Sequence, residues 1–312
     1  MPDLHLPVLL GEVVAHLSFA APGLIVDATI GLGGHAQALL ESCPGSTLLG
    51  LDRDPQAIAN TRRRLSDFED RITLVCSPFA ELSTVLAATH SPRPMAVLAD
   101  FGCSSLQLDS PERGFSFSRD GPLDMRMGDD GPTAADLVND ASAERLMRIL
   151  WDYGEENRAR AIVATILRRR EEKALTTTGE LSRLVAQVLG RRPGQKIHPA
   201  TRTFQALRIA VNNELGQIEN FVEPAVRSLA PGGRLAMISF HSLEDRIVKH
   251  TLRRLEGRAP TAPGPPGPPE KTTPLIRLVN RRPIRPTENE ERRNPRSRSA
   301  RLRVAQKLET PE

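Results

Sequence analysis

Apolar positions in the first hundred residues gather into four short unbroken runs, near 24 to 28, 47 to 51, 71 to 75 and 95 to 99, and stretches with helical spacing start near Gly34, Pro55 and Phe79. Short continuous runs alternating with helices predict parallel strands buried on both faces, as in a doubly wound α/β sheet. The next strand of this kind is Arg234 to Phe240, introduced by Pro231-Gly232-Gly233 after a helix ending near Ala230. A βαβ crossover needs about 30 residues, so the stretch between Asp100 and Arg234 must hold an insertion. Inside it Leu181, Leu184, Val185, Val188 and Leu189 recur at helical spacing behind Thr178 and stop at Gly190, while Leu146, Ile149 and Leu150 form a shorter stripe. The insertion is therefore expected to be helical. The pattern predicts a sheet domain over 1–108 and 206–312, with a helical domain over 109–205 inserted in it. Leu275 to Val279 and Leu302 to Leu308 would close the sheet as an antiparallel pair, and the Pro/Gly-rich stretch 259–269 reads as a mobile loop.

The strand ends carry the candidate chemistry. Leu24-Ile25-Val26 runs into Asp27, a glycine cluster (Gly31, Gly33, Gly34) and an amphipathic stretch opening at His35, which reads as strand, tight turn and helix. Glycines let the backbone approach a ligand, and the N–H groups of a new helix attract an anion. The second run ends in Asp52, at the spacing where an acidic side chain meets ribose hydroxyls in nucleotide-binding units. Asp54 and Pro55 then read as N-cap and first helical residue. The cluster lacks the third glycine of the dinucleotide fingerprint and has a carboxylate four residues before its first glycine, which suits S-adenosylmethionine better than a dinucleotide. Asp27 can help to hold that cofactor's positive charge.

Strand four ends in Asp100-Phe101-Gly102-Cys103-Ser104-Ser105, beside the same crevice. An amine conjugated to a base is a poor nucleophile, and acceptors must draw its N–H groups and aim its lone pair. Asp100, Ser104 and Ser105 are the candidate catalytic residues for that task; a serine-rich turn with a capping aspartate is the plainer alternative. Methyl transfer to nitrogen needs no covalent enzyme intermediate, so Cys103 is not expected to act as a nucleophile. Phe79 could wall an adenine or simply fill the core.

Composition narrows the setting. Three cysteines without a C-x-x-C pair indicate neither a disulfide framework nor a metal cluster. The N-terminus does not read as a leader and no run approaches the roughly 18 apolar residues of a membrane span, so a cytoplasmic location away from membranes is expected. Net charge is +4, yet residues 251 to 312 hold 15 Lys/Arg against 7 Glu. Beside an active site, such a tail suggests a polyanionic partner.

Several blocks together are similar to a known family: His5 to Leu10, Gly31 to His35, Asp52 to Pro55, Arg113 to Phe117, Gly121 to Met127, His198 to Gln205 and Ser239 to Arg246. In this order, from residue 5 to about 307, the chain resembles the bacterial ribosomal RNA small subunit methyltransferase H family, also called MraW. The resemblance implies a class I, Rossmann-like methyltransferase using S-adenosylmethionine. It also implies N4-methylation of a cytidine in the decoding centre of 16S rRNA, within the small subunit or a late precursor, with no DNA partner. It carries cofactor contacts onto Gly33, Gly34, His35, Asp52, Phe79, Asp100 and Gln107. Cys103, where the family usually has an aliphatic residue, and Ala36, in place of a common serine, depart from the pattern. Two other readings stay open on the residues alone, a nicotinamide-dependent dehydrogenase and a non-catalytic RNA-binding assembly factor. The long segment from Ser110 to Pro132 reads as a lid, an RNA-binding loop or a hinge. Arg202, Arg208, His241 and the arginines of 277 to 303 are candidate RNA contacts.

Overall fold

The computed structural model describes residues 6–190, 198–258 and 273–309, so the stretch 259–269 lies outside the described residues. The chain forms two compact units, residues 1–102 with 215–312, and residues 103–214.

In the first unit, strands β1 (Leu24–Asp27), β2 (Thr47–Asp52), β3 (Ile72–Cys76), β4 (Ala96–Asp100), β5 (Arg234–Ser239), β6 (Ile276–Leu278) and β7 (Arg301–Lys307) make one sheet in the order β3-β2-β1-β4-β5-β7-β6. The first five strands are parallel, and β7 runs antiparallel between β5 and β6. This is the Rossmann-like class I sheet. Its strands read as continuous apolar runs because alternate residues enter two cores. Val26, Leu49, Leu51, Val97, Ala99, Leu235 and Met237 pack with Phe221, Val222 and Val226 of the Glu214–Ser228 helix and Val248 and Leu252 of the Ser242–Leu255 helix. Ile25, Leu48, Leu98, Ala236 and Ile238 pack with Val13 and Leu17 of the Leu10–Leu17 helix and Leu39 and Leu40 of the Gly34–Ser42 helix. From β1 the chain builds outward through β2 to β3, then returns to lay β4 on the other side of β1. That reversal opens a crevice at the carboxyl ends of β1 and β4, the usual ligand position in open α/β sheets.

The helix expected from Phe79 begins instead as a short 3₁₀ turn, Phe79–Glu81, leading into Leu82–Ala88. The second unit is helical, with its own core of Leu123, Leu137, Leu146, Ile162, Leu181, Val185, Phe204 and Leu207 among others. Its Thr178–Leu189 helix is capped by Thr177 rather than Thr178, in a reciprocal box with Glu180. The insertion also departs from the expected 109–205. The helix Thr201–Asn212 gives Phe204, Ala206 and Leu207 to this core, and Asn212 grips the backbone of Met125 and Met127, so a boundary at 205 would cut through a packed helix. The segment 110–132 is stapled down rather than left as a loose lid. Arg113 donates to the carbonyls of Arg126 and Met127, Arg126 pairs with Asp124, and Leu123 and Met125 are buried. Among the described residues no helix is long and apolar enough to cross a membrane.

Candidate active site

Three carboxylates close the carboxyl ends of neighbouring strands: Asp27 on β1, Asp52 on β2 and Asp100 on β4. The sheet register sets them there, and the turn after β1 ties them together. The Asp27 carboxylate accepts from the Thr29 N–H at 3.2 Å, and the Thr29 hydroxyl accepts from the Asp100 N–H at 2.6 Å. Asp52 braces the glycine turn, its two oxygens accepting from the N–H groups of Gly31 and Asp54, each at 2.9 Å. Thr61 donates to the Gly31 carbonyl from the neighbouring Pro55–Arg64 helix, which Asp54 caps as the sequence predicts.

Burial makes this cluster electrostatically expensive. Asp27 is 1% exposed, and desolvation pushes its carboxyl up to about 7, with Asp52 adding to the rise. Burial raises Asp52 to about 6 against its two backbone hydrogen bonds. Asp100 is held well above the usual carboxylate range by desolvation first and then by the charges of Asp27 and Glu244. Its Oδ1 is shut off from solvent without a hydrogen-bond partner, while the side chain as a whole keeps 24% exposure. A buried orphan acceptor among like charges is unfavourable on its own and favours a cationic or N–H-bearing ligand.

The other pole is the start of the Gly34–Ser42 helix. Its N-cap, Gly33, sits at φ 75° in the left-handed region and offers no side-chain cap, and no acidic residue lies in the first turn. Those N–H groups form an anion-binding end. At Gly34 a Cβ would lie 2.5 Å from Cγ of Pro7, a ring that cannot swing away. Gly34→Ala should therefore push the residue 6–9 segment off the turn and lower stability by about 1–3 kcal/mol, seen as a lower midpoint in urea unfolding. His35 is buried, its Nε2 donating to the Val8 carbonyl at 2.9 Å, with Nδ1 4.0 Å from Asp100 Oδ2.

With these poles in place, the comparisons decide the family. The model of the MraW methylase family matches residues 3–308. The chain belongs to the MraW methylase family. Its relatives include a protein of Methylorubrum extorquens, 48% identical over 98% of this chain and 87% of its own length. Another, from Methylobacterium nodulans, is 48% identical over 98% of this chain and 91% of its own. Both are named ribosomal RNA small subunit methyltransferase H. Among solved structures, an rRNA methylase from Streptococcus thermophilus aligns over 98% of this chain and all of its own, at TM-score 0.42 and 11% identity, too distant to add to the topology.

In this MraW methylase the sheet unit gathers Gly33, Gly34, His35, Asp52 and Asp100 around the strand ends. Phe79 is part of an aromatic cluster, its ring 5.5 Å from Phe101 and 5.3 Å edge-on to Phe221, so core packing accounts for its position. Ser104, Ser105 and Gln107 lie at the start of the Ser105–Asp109 helix in the other unit. Ser104 caps that helix, its hydroxyl accepting from the Gln107 N–H while the Gln107 side chain accepts from the Ser104 N–H. Ser105 is buried. The helix is thus capped by a serine where the plainer alternative expects an aspartate, and Asp100, whose buried Oδ1 has no partner, is the acceptor carried forward. Arg208 is likewise committed, to a bidentate pair with Glu214 at 2.8 Å for both contacts.

Sequence reasoning missed Thr29 and Glu244. Glu244 is fully buried, accepts from the Phe240 and His241 N–H groups, and faces His241 Nε2 at 3.0 Å. His241 is the N-cap of its helix and Glu244 the third residue, a capping box with imidazole in place of a hydroxyl. The x-x-Glu spacing after His241 was the available signal.

Proposed function

We propose that this protein is an S-adenosylmethionine-dependent methyltransferase that methylates N4 of a cytidine in the decoding centre of 16S rRNA, acting on the small subunit or a late precursor. The observation that carries this reading is the two-poled crevice, in which buried carboxylates face the place of a cation and an uncapped helix start offers N–H groups to an anion. S-adenosylmethionine matches both poles and supplies, when bound, a methyl group on a positively charged sulfur. Asp52 would accept hydrogen bonds from ribose hydroxyls through its remaining lone pairs, Asp27 would balance positive charge, and the first turn at Gly33, Gly34 and His35 would take the carboxylate end. Asp100 would accept an N–H of the cytosine amine, hold its lone pair in line and take up the released proton. The cytosine-N4 target and the decoding centre come from the family resemblance.

For the RNA, the exposed arginines Arg281, Arg282, Arg285, Arg293, Arg296 and Arg298 supply phosphate contacts. Arg301 and Arg303, within the same predicted stretch, pair with Asp245 inside the unit and drop out of that role. Trp151 of the helical unit is 59% exposed, an aromatic face on which a base can stack. Removing a base from its stack takes a few kcal/mol, of which stacking on one exposed tryptophan returns about 1–3 kcal/mol.

Small subunits from cells lacking this protein, incubated with it and S-adenosylmethionine, should gain one methyl group on a decoding-centre cytidine, located by mass mapping of the rRNA. A short unstructured oligonucleotide should be a poor substrate, and binding should weaken steeply with salt. Tight binding to the particle with no methyl gained would favour the non-catalytic assembly factor.

A further inference from the structure

The residue 6–9 segment does more than cover the glycine turn, because one of its peptide groups is held at both ends. The Val8 carbonyl accepts from His35 Nε2 at 2.9 Å, and the N–H of the same peptide, on Leu9, donates to Glu290 Oε1 at 2.7 Å. Glu290 lies in the Glu288–Arg293 helix near the other end of the sequence. The segment is pinned again at Leu6, whose carbonyl accepts from Asn294 Nδ2 at 3.1 Å. Leu9 itself has φ 54° and ψ 35°, a left-handed conformation uncommon for a branched side chain. Such strain persists only where the surroundings over-determine it, and here the Leu9 side chain is fully buried while its N–H meets a carboxylate.

We propose that Glu290 is a positioning residue for cofactor binding, acting through the Val8–Leu9 peptide on His35. A carboxylate bonded to the N–H polarises the peptide and strengthens its carbonyl as an acceptor. That carbonyl fixes the proton on Nε2 of His35 and leaves Nδ1 facing Asp100. Without Glu290 the Leu9 N–H loses its charged partner, the strained peptide can turn, and His35 loses the acceptor that sets its ring. The chain thereby couples its arginine-bearing C-terminal region to the cofactor turn. The inference rests on the reading of that turn as the S-adenosylmethionine site.

The test separates the two. In the full-length apo protein labelled with ¹⁵N-histidine, the His35 Nε2–H should give a slowly exchanging imidazole resonance, which Glu290→Ala abolishes. Calorimetric affinity for S-adenosylmethionine should fall about tenfold in the same variant. Glu290→Gln, which retains an acceptor oxygen, should restore most of both signals. Glu290→Asp, which keeps the charge but draws it back by one methylene, should behave like the alanine variant. Glu288→Ala, an equal loss of charge on an exposed neighbour, should change neither. A Glu290→Ala or Glu290→Asp protein that keeps the His35 resonance overturns the coupling, whatever the wild-type protein binds. One that loses the resonance yet binds S-adenosylmethionine like wild type overturns its role in cofactor binding. If wild-type protein shows the resonance but does not bind S-adenosylmethionine, the cofactor reading and the cofactor half of the inference fail, and the Glu290–His35 linkage stands.

Discussion

Asp100→Asn should lower single-turnover methyl transfer by about 10²- to 10⁴-fold at saturating cofactor, while cofactor affinity drops by much less. Asparagine preserves the size of the side chain and can still accept one hydrogen bond. It cannot take a proton. Asp100 is suited to that step because burial and the charges of Asp27 and Glu244 hold its carboxyl well above the ordinary range. An acceptor with an ordinary carboxylate pKa would be a weak base toward an amine proton near neutral pH. The position is rigid too, since the Asp100 N–H is fixed by Thr29 at the end of β4. Rapid-quench measurements on ribosomal particles give the rate directly, and calorimetry gives the affinity. Near-normal turnover by the asparagine variant would remove Asp100 from the chemistry.

The second large effect is a dependence of cofactor affinity on pH. Asp27 and Asp52, raised to about 7 and about 6, carry protons below those values before a cation binds. A cation prefers them ionised, so binding must expel those protons as the pH falls. Each such group weakens binding by up to about tenfold per pH unit below its pKa. From about pH 8 down to about pH 5, S-adenosylmethionine affinity should therefore fall by roughly 100-fold or more. S-adenosylhomocysteine, which lacks the positive sulfur, should show a shallower fall. The sign is opposite for the stability of the ligand-free protein. Because these pKa values are raised on folding, their contribution is fully present below about pH 4 and is lost as the pH rises through about 6 to 7. Titrations in buffers of different ionisation heat should record proton release on binding. A flat affinity from pH 5 to 8 without proton release would remove the carboxylate cluster as the cation's partner.

Much of this was legible because period and position are local properties of a chain. The four N-terminal strands, β5, the final antiparallel pair and the Asp54 cap stood in the sequence as apolar runs and turn residues. Asp27, Asp52 and Asp100 were found because each is the polar residue that ends such a run. What could not be read depended on contacts between side chains that no run or period announces. The reciprocal cap between Ser104 and Gln107 depends on where their two side chains turn, which the serine-rich stretch alone does not announce. Arg208 and Arg303 look like phosphate ligands until Glu214 and Asp245 are found beside them. The edge of the insertion was misplaced because Phe204 and Leu207 share an apolar spacing that either unit could have buried.

The pairing of β4 with β5 across the insertion bears on how the protein is made. In β4, Ala96 to Asp100 align with Arg234 to Ile238 of β5, so during synthesis β4 must wait for more than a hundred residues before its neighbour is made. At about 5–20 residues per second that delay is on the order of ten seconds, during which β1 to β4 present an unpaired apolar edge. The residues made in the interval are those of the helical unit, whose core is complete within 103–214 and does not depend on β5. The late arrival of β5 and β7 makes the sheet a high-contact-order step, and truncation anywhere before residue 234 leaves an open edge of the kind that aggregates.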